Sequence, residues 1–200
     1  MSVYTQEQGI QPPVRQALRS RPLDPNADPA LFSKVTFGQR PSAEEVEVFL
    51  RSKAVMLEER GEAATTVFLH PTEEEVVGFY TTRGIKLTLD DGFREAFDIS
   101  KTKARKLPES FDACYLIAIG INQKYQGNGY APEIHAHLVE SLTTGAMRPP
   151  YIFLKVWRDN ENAVWLYDEW EYTTLDEEMA VRSTDGKELP RLLMVLKVRD

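Results

Sequence analysis

The sequence predicts an α/β domain whose second half alternates strands and helices, and three observations carry this. An apolar run at residues 114–121 stops at Asn122, then Gln126-Gly127-Asn128-Gly129-Tyr130-Ala131 leads into a helical pattern ending at Leu142. Beyond it lie a β-rich run at 151–157, a helical pattern at 160–170, and β-rich runs at 172–175 and 192–198. The third is composition: 200 residues with 42% hydrophobic and 10% aromatic content suit one domain with a substantial core.

Residues 1–33 stand apart. Pro12, Pro13, Pro22, Pro25 and Pro29 fall here without any apolar period, so the segment reads as an extended arm with one helical turn around 14–19. The domain proper is expected over 34–200. Its first strand is expected at 34–37, and Ser42-Ala43-Glu44-Glu45 has the spacing of a capping box for a helix running through Arg60. Residues 65–69 and 75–82 read as a hairpin with a charged turn, and 85–89 as a continuing strand. Residues 90–110 read as a loop or short helix with a basic knot at Lys101, Lys103, Arg105 and Lys106. Pro132 suits the first turn of the helix after the glycines, where its missing N–H costs nothing.

Several classes are excluded. No apolar run is long enough to span a bilayer, and MSVYTQEQGIQ has no signal-peptide core, so no membrane partner is expected. The lone Cys114 cannot form an internal disulfide or a cysteine-built metal site, fits a reducing cytoplasm, and reads as a small buried hydrophobe. His135 and His137 are two apart on a helix and face different sides, one expected packed and one exposed, so no metal is expected. A net charge of −7 argues against nonspecific nucleic-acid binding over the whole surface, though not against a local basic patch.

Strand, glycine turn, helix is also the arrangement of an anion cradle. Glycines allow positive φ and close approach, and the first helical N–H groups point at the ligand. The turn alone fits an ordinary surface loop equally well. Two common nucleotide motifs fail on particular residues. Gly129-Tyr130-Ala131 lacks the Gly-Lys-Ser/Thr ending of a phosphate loop, and Glu133 stands where a dinucleotide fold needs its third glycine.

The turn does match Gln/Arg-x-x-Gly-x-Gly/Ala in full, and so resembles the pyrophosphate-binding motif of the GCN5-related N-acetyltransferases (GNAT). Ile121-Asn122-Gln123-Lys124-Tyr125 stands where that family has Val-Asp-Pro-x-Tyr. Asn160 with Ala163-Val164-Trp165-Leu166-Tyr167 resembles its Asn-x-x-Ala-x-x-Leu-Tyr helix. The likeness spans about residues 34–198 and departs at Glu171-Tyr172, where the family has Gly-Phe. Glutamate does not readily adopt positive φ, so a different helix exit is expected.

The resemblance implies a mixed, mostly antiparallel sheet with a splayed parallel strand pair, flanked by helices. It implies an enzyme that moves an acetyl group from acetyl-CoA to a primary amine by direct attack on the thioester. Gln126, Gly127, Asn128, Gly129, Tyr130 and Ala131 are then expected to hold the pyrophosphate. The backbone of Ile119 and Ile121 would pair with the pantetheine arm, Asn160 would bond its amides, and Tyr167 would protonate the leaving thiolate. No carboxylate interrupts residues 114–121, leaving the general base open between water, Glu133 and His70.

For the acceptor, the layout from Val35 to Thr82 resembles the acetyltransferase-toxin branch, which implies aminoacyl-tRNA as substrate and an antitoxin as partner. Lys101, Lys103, Arg105, Lys106, Arg15, Arg19 and Arg21 would supply the basic surface. Against this, Asp168, Glu169, Glu171, Asp176, Glu177 and Glu178 form an acidic rim suited to a cationic small-molecule amine or a lysine-rich peptide. That rim also reads as a plain solvated face. A homodimer is compatible with either acceptor, and a non-catalytic CoA-binding module is the remaining alternative.

Overall fold

The computed structural model describes residues 17–88, 110–146, 148–182 and 188–198. Arg15 and residues 90–109 of the loop expected at 90–110, with its basic knot, lie outside them, and Ser110 begins a strand. One seven-stranded sheet organises the described residues, in the order β1-β2-β3-β4-β5-β7-β6. Its strands are β1 (Arg19–Pro22), β2 (Ala64–Leu69), β3 (Val76–Thr88), β4 (Ser110–Ile121), β5 (Tyr151–Trp157), β6 (Thr173–Arg182) and β7 (Glu188–Lys197). Every pairing is antiparallel except β4 with β5. That parallel pair needs a crossover, supplied by the helix α4 (Tyr130–Thr144). The mixed, mostly antiparallel sheet is the expected one.

The N-terminal segment differs from expectation. Arg19 begins an edge strand where a helical turn was expected, and residues 34–37 form no strand. β1 is short and lacks an apolar alternation. Its side chains hold it instead: Arg19 donates to the carbonyls of His70 and Glu73 and to Glu74 Oε1, at 3.1, 2.9 and 3.0 Å. The Arg21 guanidinium grips both oxygens of Asp28, a fully buried carboxylate that also accepts from Asp24 N–H at 2.7 Å. Asp28 opens the short helix α1 (Asp28–Phe32), which drops Phe32 into the core.

The capping box is not used either. Pro41 takes the first helical position, so Arg40 is the N-cap of α2 (Pro41–Val48) and no side chain caps it. The helix widens into a π segment at Phe49–Ala54 and ends as α3 (Val55–Glu59), close to the expected Arg60. Widening buries Leu50 and Ala54 completely against Phe32, Val67 and Phe79.

Two helical layers cover opposite sheet faces. On one, α4 and α5 (Glu161–Glu169) bury Ile134, Leu138 and Tyr167 on Cys114, Leu116, Ile152, Leu154 and Val156. On the other, α1 to α3 pack on β2 and β3. Next to them Ala113, Tyr151, Phe153 and Val195 form a smaller cluster with Tyr115 at its margin. Cys114 is buried as expected, which pushes its thiol up to about 12 and keeps it protonated.

Candidate active site

The parallel pair is short. Register is shared only at Cys114↔Ile152, Tyr115↔Phe153 and Leu116↔Leu154, whereas β4 continues to Ile121 and β5 to Trp157. The strands therefore part beyond Leu116 and Leu154. Asn122 N–H donates to Val77 O at 2.8 Å, so that residue faces β3. Strand alternation then turns the peptide groups of Ile119 and Ile121 to the other edge, into the gap.

At the gap's end the chain turns under tight control. Asn122 Nδ2 donates to Val76 O at 2.9 Å, and its Oδ1 accepts from Lys124 N–H at 3.3 Å, capping a 3-10 turn at Gln123–Tyr125. Gln126 Nε2 bridges Phe37 O and Ile121 O, both at 2.9 Å. The Phe37 ring lies directly on Gly120, where a Cβ would come within 2.5 Å of it. Asn128 Nδ2 ties back to the carbonyls of Tyr125 and Gln126 at 3.2 Å. With Gln126 and Asn128 bracing it, the loop places Gly127 and Gly129 at φ +76° and +72°. No side chain caps α4. A Cβ on Gly127 would meet nothing within 4 Å, so the turn leaves open space above it. Left-handed glycines, open room and an uncapped helix start fit a diphosphate.

Tyr167 packs on the sheet face that carries the split strands. It shares a packed cluster with Leu116 and Leu154, the last paired residues, and with Ile119 and Ile121. Its ring is edge-on to Tyr172 at 5.3 Å and Trp170 at 5.8 Å, and burial raises its phenol above the ordinary range. No hydrogen bond holds its hydroxyl among the described residues. Asn160 is the N-cap of α5 by position: its carbonyl accepts from Ala163 and Val164 N–H at 2.9 and 3.0 Å, and its own N–H donates to Trp157 O at 3.0 Å. Its side chain makes no cap bond.

The exit of α5 corrects an expectation. Glu171 does take the left-handed conformation, at φ +64°. Tyr172 N–H bonds Tyr167 O at 2.9 Å and Glu171 N–H bonds Asp168 O at 3.0 Å, the two bonds of a Schellman motif. The aromatic contact of Tyr172 with Tyr167 completes it. Glutamate thus adopts the glycine-type exit, and its side chain stays exposed.

The titratable neighbours separate. Glu133 Oε1 accepts from Leu18 N–H at 2.8 Å, which ties it to the N-terminal segment. His70 stacks on Tyr125 in the hairpin turn, whose Glu75 accepts from Tyr125 hydroxyl at 2.6 Å and Lys124 at 2.5 Å. His135 is buried, stacked on Trp170 at 4.2 Å, and pushed down to about 4 by burial. One of the two histidines was expected to be exposed, but His137 too is half-buried, with Nδ1 3.1 Å from Tyr80 hydroxyl and Nε2 3.1 Å from Ser20 Oγ. No group of three or more metal-ligating side chains forms among the described residues, and no helix there is long and apolar enough to cross a membrane. A cavity of about 460 Å³ lies outside the gap, lined by Lys34, Thr36, Glu75, Asn122 and Lys124 among others.

No family model and no curated protein sequence matches the chain. Solved structures do. One is AtaT complexed with acetyl-methionyl-tRNAfMet, 22% identical over 86% of this chain and 93% of that one, with TM-score 0.62. Another is AtaTR bound with acetyl-CoA, 21% identical over 88% and 94%, with TM-score 0.58. A third is Arabidopsis thaliana NAA60 in complex with acetyl-CoA, 14% identical over 90% and 98%, with TM-score 0.63. The chain has the GNAT fold. In this GNAT frame the glycine turn ends β4, Asn160 follows β5 and Tyr167 packs on the face of the split strands. Sequence reasoning missed the residues on the sheet face opposite α4 and α5, because only strand register shows which side chains share it.

Proposed function

We propose that this protein is an acetyl-CoA-dependent N-acetyltransferase acting on a primary amine, in the cytoplasm. One observation supports this most: the open left-handed turn stands at the end of the strand whose gap overlies Tyr167. Acetyl-CoA supplies an acyl group activated as a thioester. Residues 126–131 and the start of α4 would hold its diphosphate, and the gap-facing edge at Ile119 and Ile121 would hold the pantetheine arm. The Ile121 N–H would face the thioester oxygen and stabilise charge developing there. The Asn160 side chain, unused as a cap, would bond the pantetheine amides.

The amine nitrogen adds to the acyl carbon, the carbon–sulfur bond breaks, and the thiolate takes the Tyr167 proton. The proton lost by the amine passes to water, since Glu133 and His70 are engaged elsewhere. Burial keeps the Tyr167 phenol protonated throughout the neutral range, as an acid requires. Tyr167→Phe is expected to lower kcat about a hundredfold with acetyl-CoA affinity retained. Equal loss in both would make Tyr167 a structural residue.

The second reading is a toxin that acetylates aminoacyl-tRNA, supported by the likeness to AtaT bound to acetylated tRNA. Growth arrest on expression, relieved by Tyr167→Phe, would favour it, and normal growth would count against it. A non-catalytic module gains nothing from Glu171, whose backbone keeps the glycine-type exit.

A further inference from the structure

The gap has two faces. One is closed by Ile134, Leu138 and Tyr167 from α4 and α5. An acceptor must therefore reach the gap from the opposite face, and register identifies what lines it. On β5, Ile152, Leu154 and Val156 point toward α4 and α5, whereas Tyr151 and Phe153 point away, so Lys155 and Trp157 point away too. On β4 this face carries Tyr115, opposite Phe153. On β3 it carries Arg83, opposite Tyr115 and stacked on its ring with Cζ 5.6 Å from the centroid. On β7 it carries Arg191, opposite Trp157 and 4.0 Å above its ring.

The cations on this face are of two kinds. Arg191 is committed: its Nη2 bonds Glu45 at 2.7 and 2.9 Å, and Trp157 Nε1 donates to the same carboxylate at 2.5 Å. This clamp fastens α2 across the sheet and neutralises one charge. Arg83 and Lys155 have no ion pair among the described residues. Lys155 directly follows Leu154, where the strands part, and Arg83 stands two strands away, about 10 Å across the sheet. Arg83 lies over the half-buried Tyr115, and Lys155 shares this face two residues beyond Phe153, the partner of Tyr115 on β5.

We propose that Arg83 and Lys155 bind an anionic group, a phosphate or a carboxylate, carried by the acceptor amine. The proposal rests on the acetyltransferase reading and assigns its acceptor class. Two cations at the mouth, without an ion pair among the described residues, attract such an amine and repel a polyamine or a lysine side chain. The acidic residues Asp168, Glu169 and Glu171 belong to α5 and its exit, the helix closing the other face, so they do not line this entrance.

The test uses full-length protein and two matched pairs, O-phosphoethanolamine with ethanolamine and glycine with glycinamide, plus cadaverine as a cationic amine. Free CoA release gives kcat/KM for each, and calorimetric titration gives binding of each amine without acetyl-CoA. The anionic member of at least one pair should be preferred about tenfold, and the pair showing it separates phosphate from carboxylate. Arg83→Gln and Lys155→Gln should each remove most of that preference while acetyl-CoA affinity and melting temperature stay put. Binding of the anionic amine that is lost in both variants, without turnover in any, would overturn the transferase reading and retain this one. Turnover indifferent to acceptor charge, or fastest with cadaverine, would overturn this one alone. Absence of both binding and turnover would overturn both.

Discussion

The two turns bordering the candidate site both enter left-handed backbone, and they do so with opposite residues. After β4, Gly127 and Gly129 stand at φ +76° and +72°, and a Cβ on Gly127 would point into empty space. After α5, Glu171 stands at φ +64°, with Tyr172 packed on Tyr167 and its ring hydroxyl 3.3 Å from His135 Nε2. The glycine turn is braced from below and left open above. The helix exit is filled, and its packing and two backbone bonds hold a conformation that costs a non-glycine residue about 1 kcal/mol. Glycine stands where the turn is left open, as the proposed diphosphate site requires. Strain is tolerated where tertiary contacts leave no alternative.

The largest expected effect lies on the open side. Gly129→Glu puts a bulky anion at the start of α4 and should weaken acetyl-CoA binding about a hundredfold or more, measured by calorimetric titration. Unchanged affinity would place the diphosphate elsewhere and dissolve the contrast between the turns.

A smaller effect tests the packed side. The unfolded chain protonates His135 near 6.5, whereas the folded protein resists until about 4. The unfolded state therefore binds the extra proton in between, so stability is full above pH 6.5 and falls as pH drops toward 4. The loss is at most about 3 kcal/mol. Denaturant unfolding across that window should show it, and His135→Gln should flatten this part of the profile. A wild-type profile that stays flat would mean that the Trp170 stack opens freely.

The smallest effect is the most specific. Glu171→Gly relieves the left-handed strain and adds unfolded-state entropy, for a net gain of about 0.5 kcal/mol, with acetyl-CoA affinity unchanged. A loss of stability would show that the Glu171 side chain contributes more than its exposure suggests.

Much of this was legible in the sequence, for identifiable reasons. The 151–157 strand is apolar apart from Lys155, because both of its faces are largely buried, and its expected bounds match. The hairpin, the 114–121 run and the glycine turn were equally clear. β1 was not, since it is held by side-chain bonds, Arg19 to the distant hairpin turn and Arg21 to the carboxylate of Asp28, and not by an apolar pattern. Residues 34–37 misled: Val35 and Phe37 alternate and are buried, but they meet the core from a loop. The capping box misled because Pro41 starts the helix one residue before Ser42. At Glu171, residue preference argued against a conformation that the Tyr167 contact imposes. The Arg83, Tyr115 and Lys155 group left no local signal, because its members come from three strands.

Hydrogen exchange with and without acetyl-CoA tests the central claim most directly. New protection is expected at Ile119, Ile121 and residues 126–131, with the 70–76 hairpin turn and the Lys34–Thr36 side of the neighbouring cavity unaffected. Protection around that cavity, with no change at the glycine turn, would contradict it.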